Sequence, residues 1–465
     1  MGINRILNEY KIPIIIFLVA IASGFFWNQK IFGQIIPGAD PLFDCVAQDL
    51  VYRGSFTCQG EDTLAEPLYP LFLAVIYKIF GVDYDIVRVI QIIIFSATAI
   101  FVYLIARQFF SFNFAAFTAL MTAVFYGLAN QAGLIMTETI FTFLIVITVY
   151  FACKAASEDK NIYWCIAGVS LGLATLTRGI VQFLFIFFAI NVFIYYYRKL
   201  GFSGSILKSG IIVLSFVIVV LPWITLGSAS GSVSPRGGRV LFSRTGWMER
   251  LYPHYSAHLV GHLFGYYFSQ KFDFEVKSSD FRDDPEQEQK VREFRSAGKS
   301  QGEINDVLLE QAKGRILKAP HKYILVSVLD FISLNSPIIP SGSLWQNTAI
   351  IHPMFAEGRH PEISGAFKTA IILGLRFTWF AFMFLTIYGV IKSIKSPENN
   401  GLGWGKIGWI ILVILYFNLA YSAVHAIPRY ALPIYPFYVI LAIVGIGRFF
   451  NLKWLFFQES KISEF

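Results

Sequence analysis

The sequence predicts an all-α polytopic membrane protein of about 10–12 transmembrane helices, with outer-face loops and juxtamembrane helices. Three observations carry this expectation. The chain is 55% hydrophobic and only 15% charged, with a mean hydropathy of +0.58, which a soluble chain of 465 residues does not sustain. Apolar runs recur at lengths that match the ~20 residues needed to cross a hydrocarbon core. Lys and Arg gather in alternate loops between those runs, as the positive-inside rule requires.

The first run, 12–28, follows "MGINRILNEYK" and has no small-residue cleavage site behind it, so it reads as an uncleaved helix rather than a signal peptide. Further full-length runs fall near 89–106, 113–129, 133–153, 162–178, 180–197, 209–226, 367–392, 406–424 and 430–449. Two shorter runs, 67–81 and 322–338, read as segments that enter the membrane without crossing it. With that arrangement Arg5, Lys11, Arg107, Lys154, Lys160, Arg198, Lys199, Lys208, Lys392, Lys395, Lys406, Arg448 and Lys453 all fall on the cytoplasmic side. The loop 29–66, the segments 227–321 and 339–366, and the turn holding His425 and Arg429 fall on the opposite side, with all seven histidines.

Three regions follow. Residues 1–226 form an N-terminal transmembrane module containing the first outer loop, 29–66. Residues 227–366 form an extracytoplasmic insertion, and 367–465 supply the C-terminal transmembrane helices. The insertion begins with "GSASGSVSPRGG" and continues into the charged stretch "DDPEQEQKVREFRSAGKSQGEINDVLLEQAKGRILKAP". Within it, Ile304, Val307, Leu308, Ala312, Ile316 and Leu317 recur at helical period up to Pro320, which predicts a helix over 303–319 lying on the membrane.

A net charge of +8 does not indicate a nucleic-acid partner, because the basic residues scatter among loops and form no basic aromatic stripe. Four cysteines are too few for a disulfide scaffold or a zinc ribbon. Cys45 and Cys58 share the first outer loop, where a single bridge between them is expected. No phosphate-binding loop, Gly-x-Ser-x-Gly elbow or His-Glu-x-x-His motif occurs, and charges within the helices are too scarce for a proton-coupled transporter.

The residues that could carry chemistry lie on the outer side. Asp40 follows Pro37 and Gly38 where the chain turns out of the membrane, and Asp44, Asp49, Glu61, Asp62 and Glu66 follow it. Chemistry alone does not separate Asp40 from its neighbours. Glu138 begins a helix, where the dipole stabilises an acid, yet its depth at the membrane edge equally suits a functional role. Arg178 and Arg429 are single cations at the outer ends of apolar helices, able either to snorkel or to hold a phosphate with a planar guanidinium. His254, His258 and His262 recur every four residues, a spacing that can stack imidazoles on one helical face. A wet amphipathic helix is the commoner cause of that pattern. A divalent metal ion is the one cofactor the residues leave open, with Glu66, His258 and His262 as its candidate ligands.

"GADPLFDCVAQDLVYRG" followed by "EPLYPLFLAVIYKIFG" resembles the opening of GT-C superfamily glycosyltransferases, nearest to the dolichyl-phosphate-mannose protein mannosyltransferase-like and lipid A aminoarabinose transferase-like families. Asp40, Phe43, Ala47, Leu50, Tyr69, Pro70 and the Phe80–Gly81 pair fill the pattern, with Phe43 where a Tyr is usual. "MTETIFTFL", "GVSLGLATLTRG", "LPW", "GGRVLFSRTG", "LLEQAKGRILKAPHKY" and "RYALPIYPF" follow in the family's order, so the resemblance spans nearly the whole chain. It implies a GT-C fold and transfer of a sugar from a polyprenyl-phosphate donor to an acceptor hydroxyl at the outer face of the cytoplasmic (inner) membrane. The acceptor would be a glycan, lipid or protein, and the site would face the periplasm or exterior.

The resemblance also implies roles. Asp40 becomes the catalytic base, and Arg178 and Arg429 neutralise the departing lipid phosphate. Glu66 and Glu138 position the acceptor or a cation, and Tyr69, His425 and Tyr430 complete the substrate-binding set. Two rivals compete with this reading. An oligosaccharide polymerase or ligase would show an Arg-rich outer loop and no early Asp loop. A lipid or polysaccharide flippase would show inverted repeats and a charged central cavity.

Overall fold

The structure is a computed structural model, described here for residues 2–29, 31–33, 41–227, 236–264, 285–337, 365–395 and 404–452. The chain runs α1 (Gly2–Asn28), α2 (Pro41–Tyr52), β1 (Thr57–Cys58), β2 (Glu61–Asp62), α3 (Leu68–Phe80), α4 (Tyr84–Ala106), α5 (Phe112–Val124), α6 (Tyr126–Gln131), α7 (Glu138–Glu158), α8 (Asn161–Thr177) and α9 (Leu184–Pro222). It continues through α10 (Gly237–Leu251), α11 (Tyr255–Phe264), α12 (Pro285–Ser296), α13 (Gln301–Lys318), α14 (Pro320–Leu334), α15 (Gly365–Lys395), α16 (Trp404–Val424) and α17 (Tyr435–Phe449). This is an integral membrane protein. Among the described residues, seven helical stretches are long and apolar enough to cross a membrane: Lys11–Asn28, Tyr84–Ala106, Glu138–Glu158, Gly179–Thr225, Leu373–Ile394, Ile407–Val424 and Pro428–Phe449.

The long stretch Gly179–Thr225 contains two helical runs. Gly201 sits at φ +68°, a left-handed conformation that costs glycine little, and it breaks α9 between the two apolar runs read from the sequence. The run 113–129 behaves differently from expectation. Its helix α5 stops at Val124, Phe125 takes an extended conformation (φ −66°, ψ 115°), and α6 resumes at Tyr126. A helix of 13 residues is about 20 Å long and falls short of a ~30 Å hydrocarbon core. The same arithmetic keeps the 13-residue α3 from crossing by itself.

Helix α7 is the central element, packed on α4, α8 and α16. Its first residue is Glu138 and its last turn closes at Asp159 in the left-handed region. Asp159 accepts from Tyr196 Oη and Lys208 Nζ, both at 2.7 Å, tying this turn to both halves of α9. The close crossings use small residues. A Cβ on Gly389 of α15 would lie 2.1 Å from the Leu441 carbonyl of α17, and one on Gly445 of α17 would lie 2.0 Å from the Leu385 carbonyl, so only glycine permits this approach. Trp164 of α8, Phe188 of α9 and Trp409 of α16 pack ring to ring in the core, with centroids 5.2–5.3 Å apart.

Helices α10, α12 and α13 form a small surface layer with a core of its own, Phe242, Ile304, Leu308 and Ala312. The expected helix over 303–319 is α13. Ser300 and Glu303 cap it reciprocally, while Leu317, one of the apolar positions in the periodic pattern, is 81% exposed. The segment between α1 and α3 is stapled. Cys45 of α2 is disulfide-bonded to Cys58 of β1, and β1 pairs antiparallel with β2 through a turn in which both Gln59 and Gly60 have positive φ.

Candidate active site

A cavity of about 930 Å³ opens where α7, the α8–α9 turn, α10, α13 and α16 meet. Its most buried acid is Glu138, which opens α7 and is 3% exposed. One carboxylate oxygen, Oε1, accepts a hydrogen bond from Arg178 Nη1 at 3.2 Å and faces Arg429 Nε at 3.6 Å. The second contact is an ion pair too long for a hydrogen bond, and Arg429 Nε is left without a hydrogen-bond partner among the described residues. A buried carboxylate is tolerable only when paired. Here one acid holds two guanidiniums in place and leaves donors on them for another anion.

Aromatic faces hold those guanidiniums from the other side. Arg178 lies 4.5 Å and Arg429 5.6 Å from the centroid of Tyr430, and Tyr430 stacks on Tyr421. His425 packs its ring edge-on against Trp247 at 4.4 Å. Behind it Asp330 pairs with Arg244 at 2.6 Å and accepts from the Ala426 amide at 3.3 Å. This fixes the turn before Arg429.

Glu66 enters from the stapled segment, just ahead of Pro67 and α3, and lines the same cavity. Burial pushes its carboxyl above the usual glutamate range, while Arg236 and then Arg178 pull it back. Arg236 precedes α10, donates from Nε to the Leu64 carbonyl at 3.1 Å and sits over the Phe43 ring at 5.4 Å. Asp306 and Lys313 line the cavity from α13. Its described arginines and lysine exceed its acids by one charge, which suits an anionic ligand bordered by apolar walls.

Of the residues singled out in the sequence, Glu66, Glu138, Arg178, His425, Arg429 and Tyr430 converge on this cavity. Asp40 lies outside the described residues. It directly precedes Pro41, the first residue of α2, and Phe43 two positions further on lines the cavity. Tyr69 does not reach the cavity. It is fully buried, donating to Gln91 Oε1 at 2.9 Å and packing edge-on against Phe43, so its place is in the wall behind the site. Asp44 and Asp49 have structural partners. Asp44 accepts from Tyr77, Tyr84 and Gln48, and Asp49 accepts from Thr57, Arg53 and the Gly60 amide.

The candidate metal ligands do not assemble. Glu66 lines the cavity, whereas His258 and His262 are buried on α11, which packs on α14 and α15, and neither lines it. Among the described residues no three His, Cys, Asp or Glu side chains group as a metal centre would need. His258 and His262 lie on a packed helix face, while His254, just ahead of the helix, is exposed. Arg236 and Tyr421 are cavity residues that the sequence reading passed over. The only signal for Arg236 was its place in "SPRGG", a turn sequence leading into a helix.

Residues 65–223 match the family model of dolichyl-phosphate-mannose-protein mannosyltransferases. In three dimensions the chain is similar to the archaeal oligosaccharyltransferase AglB from Archaeoglobus fulgidus in complex with an inhibitory peptide and a dolichol-phosphate. That likeness has a TM-score of 0.53 and 14% identity and covers 96% of this chain and 51% of that one. The chain has the GT-C fold. The same fold likeness extends to the Archaeoglobus fulgidus oligosaccharyltransferase in its apo form (TM-score 0.51, 14% identity, 95% of this chain, 51% of that one) and in complex with Zn and sulfate (TM-score 0.50, 13% identity, 95% and 50%). The chain therefore spans about half the length of these oligosaccharyltransferases. No curated protein matches its sequence. Its buried charged cavity lies where the family-matched segment meets α10, α13 and α16.

Proposed function

We propose that this protein transfers a sugar from a polyprenyl-phosphate donor to an acceptor hydroxyl, with Asp40 as general base, at the outer face of the cytoplasmic membrane. The observation that carries the reading is the pairing of Arg178 and Arg429 on the single buried acid Glu138, inside a cavity wide enough for a sugar phosphate. The acceptor oxygen attacks the anomeric carbon as its proton passes to Asp40. The bond to the lipid phosphate breaks, and the charge growing on that phosphate falls to Arg178 and Arg429, already aligned and already desolvated. The donor arrives activated, so no nucleotide site is required. Glu66 and His425 border the space left for the acceptor, and Tyr430 holds the two guanidiniums in place from behind.

A second reading, transfer of a whole oligosaccharide to a peptide, draws on the fold likeness to AglB, which is described with an inhibitory peptide and a dolichol-phosphate. Purified protein supplied with labelled polyprenyl-phosphate sugars and, separately, with a polyprenyl-linked oligosaccharide and peptide separates the two. Release of polyprenyl phosphate with monosaccharide transfer is the expected result. Asp40→Asn keeps shape while removing the base and should cut transfer by ~10²–10⁴-fold. A fully active Asp40→Asn protein would sink the assignment of the base.

A further inference from the structure

A second cavity, of about 520 Å³, lies against the first and is lined by residues with no place in the chemistry above: Arg239, Arg295 and Gln301 from the surface helices, and Cys58, Gln59 and Glu61 from the stapled hairpin. Arg236 lines both cavities, so its guanidinium is the partition between them. Three arginines therefore face one polar space, and Glu61 is the only acid among the described residues that line it. Arg239 donates to Gln301 from one Nη atom, while its Nε is buried with no hydrogen-bond partner among the described residues. Desolvation, then the neighbouring Arg295 and Arg236 charges, hold Arg239 below the usual arginine value.

Like charges gathered in this way are costly unless something of opposite sign joins them. The surroundings are built to keep the space open. The disulfide fixes the hairpin to α2, Asp49 ties down its Gly60 turn, and the α10–α13 core fixes Arg239 opposite it.

We infer that this second cavity binds an oxyanion, a carboxylate or phosphate, carried on the acceptor, and so selects a negatively charged acceptor for the adjoining site. This rests on the transferase reading above. Planar guanidiniums grip either group in bidentate fashion. With Arg236 shared by both cavities, an anion held here would leave a hydroxyl of the same molecule within reach of the main site.

Isothermal titration of the detergent-purified protein, without donor, tests the site with three probes: glucose 6-phosphate, glucuronate and glucose. At least one of the two anions should bind saturably, and glucose should not. Arg295→Gln, at an exposed position whose loss leaves the fold intact, and Arg239→Gln should each weaken the bound anion roughly tenfold or more, as expected for a lost charge-assisted contact. Glu61→Gln should tighten it by removing the competing acid. The stronger of the two anions identifies the group.

Equal binding of glucose, absence of anion binding to the native protein, or an affinity blind to both arginine substitutions would overturn the inference; the last would mean that the anion sits on Arg178 and Arg429. Because no donor is present, a failure of sugar transfer would remove the transferase reading and leave an observed Arg239-dependent anion site standing. Loss of the anion site with transfer intact would remove only this inference.

Discussion

Glu138 has Arg178 and Arg429 within 3.6 Å of one carboxylate oxygen, so each arginine is oriented before any substrate arrives. Arg429→Ala should lower transfer from a polyprenyl-phosphate donor by ~10²–10³-fold, as loss of one preorganised donor to a developing oxyanion does. Arg429→Lys should recover part of it, since a point charge keeps attraction without the fork. Native rates in both folded variants would reduce Arg429 to a buttress for Glu138.

Glu66 gives a pH signature. Its carboxyl is raised by burial, so it takes up its proton at a higher pH than an ordinary glutamate. If the ionised form positions the acceptor, activity falls as pH drops through that raised value, and Glu66→Gln should abolish this acidic limb in a pH–rate profile. A limb that persists in the variant belongs to another group. At this scale the sequence was informative for charged residues at helix ends, and Glu138, Arg178 and Arg429 all reach the cavity. It was blind to why Asp44 and Asp49 are there, because their partners Tyr77, Tyr84 and Gly60 are identified only once the chain has folded back.

The elements around the site are held by short-range devices. The Cys45–Cys58 bridge closes a segment separated by 13 positions, and closing a loop of that size contributes about 3 kcal/mol by restricting the unfolded chain. Cys45→Ser with Cys58→Ser should therefore lower the thermal midpoint by several degrees. Reductant should lower the native protein toward the same value and leave the double variant unchanged; insensitivity of the native protein to reductant would remove the staple. Periodicity located α13 because its capping box and apolar spacing are local properties. It did not locate the break of the 113–129 run at Phe125, where the backbone turns extended between α5 and α6.

For the molecule as a whole, the orientation in the membrane is the commitment with the widest reach. In a Cys153→Ser, Cys165→Ser background, a cysteine at Gln59, exposed beside the stapled hairpin, should react with a membrane-impermeant thiol reagent on intact cells. One at Asn161, exposed beside Lys160, should react only after lysis. The reverse pattern would place the cavity on the cytoplasmic side and exclude the outer-face reading.

Composition and hydropathy by themselves determined that this chain lives in a membrane and where most of its helices lie. Those properties depend on near neighbours and on the solvent each segment can tolerate. Which acid meets which arginine was decided only in three dimensions. Arg178 finds Glu138 across 40 positions and Arg236 finds the Leu64 carbonyl across 172. Of the three histidines that share a spacing, His258 and His262 are buried in packing and His254 is exposed. A buried charge is stabilised by whatever partner the crossing helices bring within a few ångströms, and that depends on how α7, α8 and the turn before α17 cross, through contacts distant in the sequence.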